Sequence, residues 1–83
     1  MKKIQILLDN MPKIQSFNTK VKAFRGTHLD LVSGRYRVDA KSLMGIFSLN
    51  LEKPVTLEFE DEYEDDIYRL FRHFLYVGTD INY

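Results

Sequence analysis

The sequence predicts an α+β domain in which helices stack on one face of an antiparallel four-stranded sheet, in the order β-α-β-β-α-β-α. Three patterns carry that prediction. Two stretches alternate apolar and polar residues around Ile4 and Leu57, two more flank a Ser33 and Gly34 turn, and three segments place apolar residues at helical spacing. With 83 residues, 45% of them apolar, the chain can build one core and one domain, residues 1–83.

Ile4, Ile6 and Leu8 alternate with Lys3, Gln5 and Leu7, the period of a strand with one buried face. Asp9, Asn10, Met11 and Pro12 then offer turn and cap residues, and Pro12 suits a first helical turn. Ile14, Phe17, Val21 and Phe24 continue at helical spacing, which predicts a helix over residues 12–24 with Gly26 placed to end it. Leu29 and Leu31, then Tyr36 and Val38, form the arms of a hairpin turning at Ser33 and Gly34. Its polar face is expected to carry His28, Asp30, Arg35 and Arg37, so charges can pair across the strands.

Asp39 and Ser42 favour a helix start ahead of Leu43, Met44, Ile46 and Phe47, and Asn50 is a candidate stop. Gly45 weakens this short helix but lets another surface approach. So few turns cannot bury that many apolar groups. Ile46 and Leu49 can fill the inward side, which leaves Met44 and Phe47 as candidates for an exposed patch. After a turn at Glu52, Lys53 and Pro54, a fourth strand alternates Val55, Leu57 and Phe59 with Thr56 and Glu58. The acidic residues from Asp61 to Asp66 suit the start of a last helix, whose stripe is Ile67, Leu70, Phe71, Phe74 and Leu75 and whose cap is Gly78.

Composition removes several classes of function. There is no cysteine, so thiol nucleophiles, redox pairs and thiolate metal sites are excluded. No apolar run has the length of a membrane span and residues 2–8 are too short for a secretory signal, which makes the cytoplasm the expected compartment. Net charge is zero, yet Lys and Arg outnumber Asp and Glu ten to four through Lys53, and are outnumbered two to eight beyond it. A basic half could attract nucleic acid. Tyr36 between Arg35 and Arg37 is the one stacking residue with flanking cations, and without an RNA-binding motif it is weak support. Two histidines at unrelated positions, His28 and His73, cannot assemble a metal site, and each has an ordinary surface reading.

The run Ala40, Lys41, Ser42, Leu43, Met44, Gly45, Ile46, Phe47, Ser48 and Leu49, placed after a strand and a Ser33 and Gly34 turn, resembles the regulatory-serine helix of HPr. HPr is the phosphocarrier family of the bacterial sugar phosphotransferase system. The likeness is dense over residues 38–59, and the order of elements and the length extend it across most of the chain. It implies an HPr-like open-faced β-sandwich. It also implies that Ser42 is a site of regulatory phosphorylation by HPr kinase/phosphorylase, and that Lys41, Leu43, Met44 and Phe47 dock partner proteins.

The resemblance fails where the family carries its phosphoryl group. HPr proteins hold a histidine at the start of the first helix in a Gly-x-His-x-Arg-Pro type signature, and here Asn10 or Met11, depending on the alignment, stands in its place. Neither side chain can act as the nucleophile, because an imidazole nitrogen both attacks phosphorus and releases the group again. The expectation is a non-enzymatic, HPr-like regulatory or adaptor protein without classical phosphocarrier activity and without a cofactor. Its partners would be phosphotransferase-system or regulatory proteins. The alternatives are a phosphocarrier with a relocated histidine and, less well supported, a basic-face nucleic-acid-binding module. An acyl-carrier reading of Ser42 is weaker still, because such carriers usually have Asp where Lys41 stands and order their helices differently.

Overall fold

A computed structural model describes residues 1–76. Four strands, β1 (Lys2–Ile6), β2 (Asp30–Ser33), β3 (Tyr36–Asp39) and β4 (Val55–Phe59), form one antiparallel sheet in the order β1-β4-β2-β3. Three helices, α1 (Met11–Ala23), α2 (Leu43–Phe47) and α3 (Glu64–Phe71), complete an α+β open-sheet architecture. The register aligns the apolar positions across the sheet: Ile4 opposes Leu57, Leu57 opposes Leu31, and Leu31 opposes Val38. A slip of one residue would turn all four toward solvent, so the buried face fixes the pairing.

On that face Ile14, Phe17 and Val21 of α1, Ile46 of α2 and Ile67 and Phe71 of α3 join the strand residues in one core. Phe17 is its centre, with ring centroids 5.3 Å from Phe71 and 5.7 Å from Phe74. These tilted and edge-on contacts are the geometry that aromatic quadrupoles favour. Among the described residues no element covers the other face of the sheet, and Lys3 and Gln5 are exposed on β1.

The uncovered face carries the expected charge pairing, with a different membership. Arg37 donates to Asp30 Oδ2 at 3.0 Å and to Glu58 Oε1 at 2.8 Å, so one guanidinium ties β3 to β2 and β4. Those two carboxylates raise the Arg37 pKa above its ordinary value, Glu58 contributing most. Lys3 approaches the same Glu58, which is only 7% exposed although charged. Arg35 takes no part, because it sits in the turn.

Several boundaries differ from expectation for local reasons: among them, β1 ends at Ile6 short of Leu8, and Asp61–Tyr63 form a 3-10 turn ahead of α3. The hairpin loop is Gly34 and Arg35, one residue later than expected, because Ser33 still pairs with Tyr36 and Gly34 supplies the positive φ of 60°. Gly26 does not cap α1. The helix ends on Phe24 in extended backbone, and Gly26 is small because a Cβ there would lie 2.7 Å from the rings of both Phe24 and Tyr63. Asn50 does not stop α2, which closes at Ser48, while Asn50 Oδ1 accepts from the Glu52 amide in the next turn. The last helix stops at Phe71 and tightens into a 3-10 turn over Arg72–Phe74, bringing Leu75 into an antiparallel bridge with Ile6. The Gly78 cap lies outside the described residues.

Candidate functional site

The turn into α2 is built from backbone hydrogen bonds supplied by side chains. Asp39 Oδ1 accepts from the Lys41 amide at 2.9 Å, and the Ser42 amide donates to the Asp39 carbonyl at 2.9 Å. Asp39 therefore shapes the turn and Ser42 caps the helix, its Oγ accepting from the Gly45 amide at 3.1 Å. The fixed turn sets which way each later side chain points. Ile46 and Leu49 face the core, and Leu43 is half-buried against it. Met44 is 82% and Phe47 43% exposed, so the expected outward pair is outward. Lys41 and Ser42 are exposed beside them. A Cβ at Gly45 would meet Val38 Cβ at 3.1 Å, which is why this helix can settle so closely on β3.

Asn18 of α1, 6% exposed, donates from Nδ2 toward the Lys41 carbonyl at 3.2 Å and the Ala40 carbonyl at 3.5 Å. It ties the long helix to the residues immediately before Ser42. Sequence reasoning passed over it, although it falls one turn after Ile14 on the buried stripe, where a polar residue needs a partner.

The residues that open α1, Asn10 and Met11, bring no imidazole, and Lys13 in its first turn is paired with Asp9. Asn10 Oδ1 accepts from the Lys13 amide at 3.0 Å as the helix cap, and Met11 is 50% exposed in the first turn. A cleft of about 340 Å³ opens here between Leu8, Met11, Ile14 and Leu51, with Asp9 and Glu52 as its charged residues. Lys13 is already committed to Asp9 at 3.1 Å, and that hydrogen bond holds the Asp9 carboxyl below its ordinary pKa. Two carboxylates at the mouth repel a phosphoryl group rather than receive one.

Neither histidine lines that cleft, although His73 lines a separate one against the first turn of α1. His28 is exposed with Nε2 2.6 Å from Asp30 Oδ1, at the margin of the charge network on the open face. His73, in the 3-10 turn after α3, lines a cleft of about 470 Å³ on the flank of α1 with Pro12, Lys13, Ser16 and Lys20. Among the described residues no group of acidic or imidazole side chains could hold a metal ion, and no helix is long and apolar enough to cross a membrane. Against models of known protein families, and against curated proteins, the chain finds no match.

Proposed function

We propose that this chain is an HPr-like regulatory or adaptor protein that docks partners through α2 and can be phosphorylated on Ser42. The observation that carries the reading is the surface formed by Ser42, Met44 and Phe47, polar and apolar side chains exposed together on a helix whose other side is anchored by Ile46. The element order and the sequence of residues 40–49 resemble HPr, and the acidic mouth of α1 fits a member that no longer carries phosphate there. Phosphorylation would transfer the γ-phosphoryl group of ATP to Ser42 Oγ, releasing ADP and the hydroxyl proton. The added charge would stand at the N-terminal end of the helix that carries Met44 and Phe47 and change which partner surfaces they accept.

The experiment is incubation of the chain with HPr kinase/phosphorylase and ATP, followed by mass mapping. Labelling of Ser42, absent in Ser42→Ala, supports the reading; an unlabelled folded protein that binds no phosphotransferase component sinks it. One observation favours a second reading: His73 shares its cleft with Ser16 and Lys20, so an imidazole and a cation line the same cleft, Lys13 there being held by Asp9. In that case phosphoenolpyruvate and the general phosphotransferase enzyme would leave an acid-labile phosphate on His73. Mapping that finds His73 unmodified removes it.

A further inference from the structure

Away from α2, the C-terminal end of α1 and the start of α3 leave a cleft of about 540 Å³ between them. Its walls are Phe24, Tyr63 and Leu70, and Lys20 and Arg25 stand at its rim. The aromatic wall is held in place from two sides. Phe24 and Tyr63 meet edge to face, with centroids 5.8 Å apart and planes at 87°, and Gly26 presses its backbone against both rings so closely that a Cβ would not fit. A wall fixed by packing loses little conformational freedom when a ligand arrives.

The charges at the rim are unequal in availability. Asp66, the acidic residue of the lining, is ion-paired with Arg69. Lys20 and Arg25 form no ion pair among the described residues, so the open charges at this cleft are positive. We infer that the cleft binds a small organic carboxylate, its aromatic or aliphatic body against Phe24, Tyr63 and Leu70 and its anionic group between Lys20 and Arg25. A volume of this order lies in the range of small-ligand sites, and the lining pairs an apolar wall with two cations, which suits a small body bearing one anionic group. The site uses no residue of α2 and stands or falls independently of Ser42.

The test is titration of the full chain with 1-naphthoate, followed by amide chemical shifts, with the uncharged 1-naphthalenemethanol as control. Saturable binding is expected, with shifts centred on Phe24, Gly26, Tyr63 and Leu70 and an affinity at least about tenfold above the alcohol's, the ratio one well-placed charge contact supplies. The surface double variant Lys20→Gln with Arg25→Gln should lose that tenfold advantage while binding the alcohol unchanged. Ala23→Phe, which fills the cleft from an exposed position, should weaken both. The proposal is overturned by absence of saturable binding, by equal affinity for acid and alcohol, or by shifts that map elsewhere. Self-association that the double variant abolishes, or binding of an acidic peptide where naphthoate does not bind, would also overturn it in favour of a macromolecular occupant.

Discussion

Asn10 and Ser42 each stand in extended backbone before a helix, and each accepts a hydrogen bond from the amide three residues on, at 3.0 and 3.1 Å. The two helix starts are nearly the same piece of local chemistry. What surrounds them is opposite. Beside Asn10 the cleft is lined by Asp9 and Glu52, and Lys13 in the same first turn is bound to Asp9. Beside Ser42 stand Lys41, Met44 and Phe47, all exposed. A cap therefore says where a helix begins and contributes to its stability, while the charge and exposure of its neighbours decide whether an anion or a partner can be received there.

The contrast can be broken most severely from beneath α2. Ile46 is fully buried and is the one buried residue within that five-residue helix, so Ile46→Ala should cost about 2 to 4 kcal/mol in urea unfolding. A cost under about 1 kcal/mol would mean that α2 is not anchored as described. Asn18→Ala comes next, at about 1 to 3 kcal/mol, because it strips the donor from the carbonyls before Ser42. Faster amide exchange confined to the turn into α2 would identify the lost tether.

The equivalence of the two caps is tested by Asn10→Ala and Ser42→Ala, each expected to lower stability by about 1 kcal/mol. A much larger loss at Ser42 would give it a structural role that the exposed side chain does not suggest. Met44→Ala should shift stability by only about 0.5 kcal/mol and Phe47→Ala, more than half covered, by about 1 to 2 kcal/mol, each leaving the fold intact for partner-binding assays. Several kcal/mol lost by either would place that residue in the core. The smallest effect concerns pH. The Lys13 hydrogen bond depresses the Asp9 pKa, so its contribution is complete above the ordinary carboxylate value and is lost as pH falls through the lowered one. In Lys13→Gln the Asp9 titration followed by NMR should move back up toward the ordinary value.

Sequence patterns with long repeats were legible. All four strands and the buried stripe of α1 follow from alternation and helical spacing, and so do the inward Ile46 and Leu49 and the outward Met44 and Phe47, whereas Leu43, expected with the docking residues, packs half-buried against the core. Ends were less legible, because they depend on tertiary neighbours. Gly26 looks like a helix stop until the rings of Phe24 and Tyr63 explain its size. Phe74 and Leu75 continue the stripe of α3 in sequence, yet pairing with β1 draws the chain out of the helix after Phe71. Glu58 reads as an ordinary outward strand residue, and only the sheet order reveals that Arg37 and Lys3 converge on it from either side.

The segment that follows α3 also bears on how the molecule keeps to itself. The Leu7 amide donates to the Phe74 carbonyl and the Tyr76 amide to the Gln5 carbonyl, both at 2.9 Å, so the outer rim is occupied at the C-terminal end of β1. The opposite rim is only four residues long, and its Arg37 and Asp39 are both exposed. Short charged margins and occupied amides are two separate defences against strand templating. A sheet guarded in this way can leave one broad surface bare to water without inviting copies of itself to stack into fibres.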